Sequence, residues 1–258
     1  MNAPPDIAVS IVSHGHAAQV RALLAQLAQL HEPRLRRVVV TLNLPEPDLA
    51  ADLRHGAWPF ALDLIENSAP AGFGANHNRA FEHAQRGASC ALFGVLNPDL
   101  RLHGNPFAAM VGLFEREPRV GAVYPRQVDA QGRRQDSERL LPTPARLLAR
   151  HLLRRPLEVE AEGAPDWVNA AFLLLRSQAY AAIGGFDEGF YMYGEDVDLC
   201  LRLQLAGWSL RRAGDARVEH AAQRASRRQW RHLGWHLRSL WRLWRSPVWQ
   251  AWRAGRHN

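Results

Sequence analysis

The first hundred residues alternate between apolar runs and segments whose apolar positions recur every three or four residues. The apolar runs predict strands at Ile7–Val12, Val38–Leu42, Ala61–Ile65 and Cys90–Leu96. Helical spacing follows the first strand at Val20, Leu23, Leu24, Leu27 and Leu30, and a Gly-rich loop leads into a second helical stretch over 75–86. Strands alternating with helices of this length predict an α/β fold with a doubly wound, mostly parallel sheet. Residues 1–100 therefore resemble a nucleotide-binding half, with active loops at the carboxyl ends of the strands.

The second half has a different pattern. It predicts helices near 106–117, 145–155 and 195–206, strands at 120–124, 167–175 and 216–219, a polar loop over 126–138 and an acidic linker over 158–163. We divide the chain into a catalytic domain over 1–222 and a helical tail over 223–258.

Charge is distributed unevenly over the 258 residues. The formal net charge is +7. From Arg217 to the end the chain contains ten Arg and one acid, Glu219, so the remaining residues, the body, are close to neutral. Every basic residue is Arg, which excludes mechanisms that need a lysine amine, such as a P-loop or a Schiff base. Cys90 and Cys200 lie in apolar runs and are expected to be buried thiols in a reducing compartment.

The tail combines tryptophan with arginine at helical spacing. A single apolar stripe is predicted from Trp230, Leu233, Leu237, Trp241, Trp244 and Val248, surrounded by Arg227, Arg228, Arg231, Arg238, Arg242 and Arg245. Pro247 is expected to interrupt the helix. Two readings fit this pattern: an interfacial helix over 227–252 that binds anionic lipid, or a helix that packs its stripe on the catalytic domain.

Three places carry candidate chemistry. Asp99 closes an apolar strand, where a carboxylate suits a divalent cation, although Asn-Pro-Asp is also an ordinary turn. The run from Gly185 to Cys200 places Glu195, Asp196 and Asp198 in the first turn of a helix beside four aromatic residues. Helix capping would account for one or two of these three carboxylates. A role as general base would account for the whole cluster. His220 could complete a cation site or be an ordinary solvated histidine.

Sequence motifs then point to a family. The run GGFDEGFYMYGEDVDLCLRLQLAGW over 184–208, with LNPD at 96–99, GFGANHN at 72–78 and DWVNAAFLLLR at 166–176, resembles glycosyltransferase family 2. The resemblance covers roughly residues 6–245 and is strongest for the rhamnosyltransferase-like members. It implies an inverting enzyme with a GT-A fold, in which residues 101–222 form the acceptor half.

The resemblance also implies roles for individual residues. Asp196, paired with Glu195, matches the catalytic base, and Trp167 and Asp198 lie on the acceptor side. Asp99 and His220 match the groups that hold Mg²⁺ or Mn²⁺ on the donor diphosphate. The residues expected to contact the donor nucleotide are Ser13, His14, Asn43, Asn76, Asn78, Asn97 and Arg202.

Departures from the family pattern keep alternatives open. Thr41-Leu42-Asn43-Leu44-Pro45 replaces the usual turn after the second strand, and Asn169-Ala170-Ala171 replaces the small Gly-Ala pair after the acceptor tryptophan. Asn97 also replaces the first Asp of the metal signature. A non-catalytic relative with a degenerate donor site is therefore a second hypothesis. A nucleic-acid-binding protein that uses the Arg/Trp tail is a third, and the near-neutral body with its cluster of acids argues against it.

The resemblance implies a set of partners and a location. The donor is expected to be a nucleotide-diphosphate sugar, with L-rhamnose from dTDP-rhamnose as the first choice, and the acceptor a saccharide or a lipid-linked sugar in bacterial surface polysaccharide synthesis. No nucleic-acid partner is expected. Neither a signal sequence nor a run of about 18 apolar residues is visible, so we expect a cytoplasmic enzyme that rests on the inner face of the membrane.

Overall fold

A computed structural model describes residues 5–87, 90–153, 164–220 and 230–255. Its strands are β1 Ile7–Ser13, β2 Leu35–Leu42, β3 Ala61–Glu66, β4 Leu92–Leu96, β5 Leu100–His103, β6 Val120–Val128, β7 Glu138–Arg139, β8 Trp167–Val168, β9 Phe172–Arg176 and β10 Ser209–His220. Its helices are α1 Ala17–Gln29, α2 Pro47–His55, α3 Phe73–Gly87, α4 Pro106–Arg116, α5 Pro144–Leu153, α6 Ser177–Ala182, α7 Glu195–Leu205, α8 Trp230–Arg245 and α9 Pro247–Gly255.

Eight strands form one sheet in the order β3-β2-β1-β4-β9-β6-β10-β5. β1 to β4 are parallel, and β6 and β10 run in the same direction. β9 enters antiparallel between β4 and β6, and β5 closes the edge antiparallel to β10. The predicted α/β class with a mostly parallel sheet is confirmed.

Helices cover both faces of this sheet, which explains why its inner strands are apolar on both sides. On one face α1, α2 and α4 bury Leu23, Leu49 and Phe107 in one apolar cluster, with α1 packed on β1, α2 on β3 and α4 on β6 and β10. On the other face α3, α7 and the tail helices form a second apolar cluster. Cys90 and Cys200 are buried in it, as expected.

Several predicted boundaries are wrong. The loop predicted over 126–138 is partly strand, because β6 continues to Val128 and β7 follows at Glu138. The strand predicted over 167–175 is two strands, interrupted at Asn169-Ala170-Ala171. β10 begins at Ser209, seven residues before the predicted strand, because Ser209 to Ala213 pair along β6. α2, α6 and β5 lack a long periodic pattern and were not predicted.

The tail forms two helices with a break at Ser246, so the predicted interruption at Pro247 is confirmed. The predicted stripe does not pack as one face on the catalytic domain: Leu237 and Trp241 are 60% and 57% exposed, whereas Leu243 and Trp249, which are not part of the stripe, are buried. The side chains of Trp230, Arg231 and Leu233 lie outside the described residues. Trp244 and Val248 pack partly against the catalytic domain. Arg227, Arg228, the linker 158–163 and the boundary at 222 lie outside the described residues. Among the described helices, none combines the length and apolarity that crossing a bilayer requires.

Candidate functional site

The polar residues predicted for the site follow strands that end at one edge of the sheet. Because β1, β2, β4, β6 and β10 share a direction, their carboxyl ends meet there, and the antiparallel β9 begins at the same edge. Such an edge is where open α/β sheets bind ligands.

Asp99 and His220 meet at this edge. Asp99 precedes β5, and the next residue, Leu100, pairs with His220 at the end of β10. His220 Nε2 lies 3.4 Å from Asp99 Oδ1, and both side chains are mostly buried. Burial opposes ionisation of Asp99, but the hydrogen bond and charge of His220 outweigh it and hold the pKa of this carboxyl below its ordinary value. His220 Nδ1 is buried and has no hydrogen-bond partner among the described residues.

An amide pair that was not predicted adjoins these two residues. The Gln127 and Asn169 side chains exchange hydrogen bonds of 2.6 and 3.2 Å. Gln135 Nε2 donates to the carbonyl oxygen of His220 at 2.6 Å, and the Asn97 amide donates to Ala171 at 2.8 Å. Little in the sequence signalled this pair, because Gln127 follows Arg126 in the segment that was predicted as a polar loop. These bonds fix the backbone on both sides of Asp99.

The acid pair Glu195 and Asp196 opens α7. The preceding Gly194 has φ +88°, a conformation that favours glycine, and turns the chain into the helix. Glu195 is 6% exposed, and within the part of the chain that the structure describes its Oε2 has no hydrogen-bond partner. Burial raises the pKa of both carboxyls, and the charge of Asp196 raises that of Glu195 further. A carboxyl with a raised pKa suits proton transfer near neutral pH.

Contacts between α7 and β8 show which way this pair faces. Gln204 Nε2 donates to Asp166 O at 2.8 Å, and one helical turn earlier Cys200 Sγ lies 3.7 Å from Val168 O. Four helical residues rise about 6 Å, which matches two residues of an extended strand. The amino end of α7, which carries Glu195 and Asp196, therefore lies beyond Val168, toward residues 169–171 that lead into β9. The acid pair therefore opens toward the same edge as Asp99.

Arg139 is a second group that sequence reasoning missed. It pairs with Trp167 across β7 and β8, and its guanidinium lies 5.1 Å from the centre of the Trp167 ring. Its Nε donates to Asp136 O at 3.0 Å. Although burial dominates the pKa of Asp196, the positive charge of Arg139 works in the opposite direction and lowers it. Arg139 lies just after the stretch predicted as a loop, where spacing gave no signal.

The predicted donor residues at the other end of the edge form a network. The Asn43 amide donates to Ser13 O at 2.8 Å, and its side-chain Nδ2 lies 3.1 Å from His14 Nδ1. The same side chain bonds both the carbonyl and the amide of Ala71, at 3.0 and 2.8 Å. Asn43 therefore joins the ends of β1 and β2 to the Gly-rich loop.

Asn76 continues this network from inside α3. Its Nδ2 donates to Gly72 O at 2.9 Å, and its Oδ1 accepts from Asn67 Nδ2 at 2.6 Å. Asn67 also donates to Asn43 Oδ1 at 2.9 Å. Asn76 is 2% exposed, so its side chain lies beneath the Gly-rich loop and holds the loop backbone through these hydrogen bonds.

The structure does not bring Asn78, Asp198 and Arg202 to this network. Asn78 uses its whole amide on Tyr180, Phe186 and Glu188. Arg202 pairs with Asp198 at 2.7 Å and donates to the carbonyl oxygens of Ile183 and Gly185, also at 2.7 Å. These contacts commit the Asn78, Asp198 and Arg202 side chains to the turn before α7, and their predicted roles at the donor and the acceptor remain predictions. The same contacts hold this turn in place.

Comparison with known proteins decides the family. The family described as "Glycosyltransferase like family 2" matches residues 4–234. This chain belongs to that family. The glycosyltransferase is 28% identical over 245 residues to rhamnosyltransferase WbbL of Escherichia coli K12, covering 91% of this chain and 90% of that protein. It is 30% identical over 216 residues to the N-acetylglucosaminyl-diphospho-decaprenol L-rhamnosyltransferase of Mycobacterium tuberculosis H37Rv, covering 72% of this chain and 70% of that protein.

Solved structures show that the glycosyltransferase has the predicted GT-A fold. It superposes on the mannosyltransferase PcManGT of Pyrobaculum calidifontis, in complex with GDP-Man and Mn²⁺, with a TM-score of 0.62 at 18% identity. It superposes on GalNAc-T7, solved with UDP, GalNAc and Mn²⁺, with a TM-score of 0.60 at 15% identity. The alignments cover 93% and 85% of this chain, but only 65% and 44% of those structures.

Proposed function

We propose that this glycosyltransferase moves a sugar, L-rhamnose from dTDP-rhamnose as the first choice, onto a saccharide or lipid-linked acceptor in bacterial surface polysaccharide synthesis, with inversion at the transferred carbon. The observation that carries the proposal is the Asp99–His220 pair at the sheet edge toward which the Glu195–Asp196 pair opens. The rhamnosyltransferase relatives, one named for a diphospho-decaprenol acceptor, support the choice of sugar and acceptor.

Asp196 is the proposed base. Its carboxylate takes the proton from an acceptor hydroxyl, the oxygen attacks the anomeric carbon, and the nucleoside diphosphate leaves from the opposite face. Burial raises the pKa of Asp196, which makes its carboxylate a stronger base for this proton. The positive charge of Arg139 lowers the same pKa and so keeps part of the carboxyl ionised. Trp167, on which the guanidinium of Arg139 lies, provides an apolar wall for the acceptor side.

Asp99 and His220 fit a divalent cation. The Asp99 carboxylate and the His220 Nε2 that lies 3.4 Å from it are donors that Mn²⁺ accepts, and Mg²⁺ accepts the carboxylate. Residues 5–87, 90–153, 164–220 and 230–255 contain no cluster of three such ligands, so the donor diphosphate and water would complete the shell. When bound, the cation neutralises the charge that develops on the leaving diphosphate. Asn97, beside Asp99, offers an amide oxygen where the family has a second carboxylate.

The tail supports contact with the membrane surface. Leu237 and Trp241 are exposed on successive turns of α8, and Arg245 lies 3.9 Å over the Trp241 ring. Exposed Leu and Trp beside arginine are typical of a helix that lies in the headgroup region of an anionic leaflet. We therefore place the enzyme at the inner face of the cytoplasmic membrane. Flotation with vesicles containing anionic lipid tests this: Leu237→Ser with Trp241→Ser should stay unbound, and binding equal to the parent protein would contradict it.

Hydrolysis of nucleotide sugars tests the catalytic proposal without a known acceptor. dTDP-rhamnose and UDP-hexoses are incubated with Mn²⁺ or with EDTA, and free nucleoside diphosphate is measured. The expected result is release that needs the metal and is lost in Asp99→Asn. Nucleotide binding by calorimetry in the same buffers separates an enzyme from a relative that has lost its donor site. Absence of both metal-dependent hydrolysis and nucleotide binding would overturn the proposal.

A further inference from the structure

Segment 187–194, which leads directly into the acid pair, also touches the Gly-rich loop. The Phe73 amide, at the start of α3, donates to the carbonyl oxygen of Tyr191 at 3.1 Å. A Cβ atom on Gly72 would lie 2.9 Å from that same carbonyl oxygen, so the two backbones are packed as closely as glycine allows. The segment thus connects the donor side of the site to Glu195 and Asp196.

Helix α8 holds this segment from the outside. Ser239 is 6% exposed and its hydroxyl donates to the carbonyl oxygen of Met192 at 2.9 Å. The His236 ring stacks on Tyr193 with 4.0 Å between centroids and 5° between planes. Arg242 forms an ion pair with Asp187 at 2.9 Å, and its guanidinium lies 5.2 Å from the Phe190 ring centre. One face of α8 therefore contacts the segment at four successive places.

The contact with His236 lies where the backbone is strained. Tyr193 has φ +71°, and among the described residues only His31 shares a positive φ without being glycine. This conformation is unfavourable for a bulky residue and persists only where neighbouring contacts hold it. The next residue is Gly194, and the acid pair follows. The contact between His236 and Tyr193 therefore lies at the residues that determine the direction in which the chain enters α7.

We propose that His236 and Ser239 are positioning residues for sugar transfer, which hold residues 191–194 so that Asp196 keeps its distance and angle to the bound donor. The inference rests on the proposed function. It gives the tail a role in the reaction that is separate from membrane binding, because Leu237 and Trp241 lie on the exposed side of the same helix. Misplacing a reacting group by about 1 Å can cost roughly a hundredfold in rate.

The test compares His236→Ala and Ser239→Ala with two further variants in detergent solution without vesicles. His236→Phe keeps an aromatic ring for stacking on Tyr193. Gln250→Ala changes an exposed side chain of α9 and is the matched control. We expect kcat of the two first variants to fall about 10- to 100-fold with donor KM within about twofold. His236→Phe should recover most of the rate, and Gln250→Ala should match the parent protein.

Hydrogen exchange supplies a readout that needs no activity. Amides 191–194 should exchange faster in His236→Ala and Ser239→Ala, with the rest of α7 protected as in the parent protein. Unchanged exchange in both variants, or faster exchange with an unchanged kcat, would overturn the positioning role. A parent protein without transferase activity would instead overturn the proposed function, and the exchange result would still decide whether α8 holds the segment.

Discussion

Asn78 gives the sharpest distinction between a structural role and a role in donor binding. Its Nδ2 donates to Phe186 O and to Glu188 Oε1, both at 2.9 Å, and its Oδ1 accepts from the Tyr180 hydroxyl at 2.6 Å and the Phe186 amide at 2.9 Å. Tyr180 and Phe186 are at most 1% exposed. A Cβ on Gly185 would collide with Asn78 Oδ1, so the turn and the helix α3 are tightly fitted.

Asn78→Ala leaves the Tyr180 hydroxyl and the Phe186 amide buried without a partner. Each of these two groups costs about 1–3 kcal/mol, so the free energy of unfolding should fall by about 2–6 kcal/mol. Urea denaturation followed by circular dichroism measures it, with Glu188→Ala as the control. Glu188 is exposed and accepts only one of the four bonds, so its loss should change the free energy by less than about 0.5 kcal/mol.

Nucleotide binding completes this experiment. At a temperature where Asn78→Ala remains folded, its affinity for a nucleoside diphosphate should stay within about threefold of the parent protein, because a small local shift is worth well under 1.4 kcal/mol. A variant with native stability and strongly weakened nucleotide binding would refute the structural assignment and support the role predicted from sequence.

Four further predictions concern the acid pair and the cation site. Asp196→Asn should fold normally and transfer sugar at least about a hundredfold more slowly, measured with a donor that the hydrolysis screen identifies; near-native turnover would exclude it as the base. Burial raises the pKa of Asp196 and Arg139 lowers it, so Arg139→Gln should shift the acid limb of the rate profile to higher pH. His220→Ala should weaken Mn²⁺ binding by calorimetry about tenfold or more, and unchanged affinity would remove His220 from the site. Since the raised pKa makes folded Glu195 bind a proton more tightly than the unfolded chain does, the free energy of unfolding should fall as pH rises from about 4.5 toward neutrality, and Glu195→Gln should lose part of this slope.

Local pattern was enough to predict the sheet and most helices on it, because strands buried on both faces are continuously apolar and helices repeat every 3.6 residues. It failed where pairing across the chain decides the structure. Ser209 to Ala213 carry a weak strand pattern and form a strand because β6 lies beside them. The tail stripe does not pack as one face, because the face that packs is selected by Phe190 and its neighbours on a distant segment.

The residues of the candidate site likewise fall into those that the sequence predicted and those that it did not. Motif order and family resemblance led to Asp99, Asp196 and His220, and the structure brings Asp99 within hydrogen-bonding reach of His220. Arg139 and Gln127 were missed because neither belongs to a motif and each acts through a partner about 30 to 40 residues away in the chain. Arg202 was assigned to the donor, and charge alone cannot reveal that carbonyl oxygens already occupy its guanidinium.

The place of β9 has a consequence for how the protein is made. β4 and β6 are complete once residue 128 has been synthesised, but the strand that joins them is not finished until Arg176. During translation the edges of β4 and β6 that later pair with β9 remain unpaired and apolar. Unpaired strand edges of this kind promote association with other chains. Slower initiation or a lower growth temperature should therefore raise the soluble yield, and truncation before residue 176 should give insoluble protein.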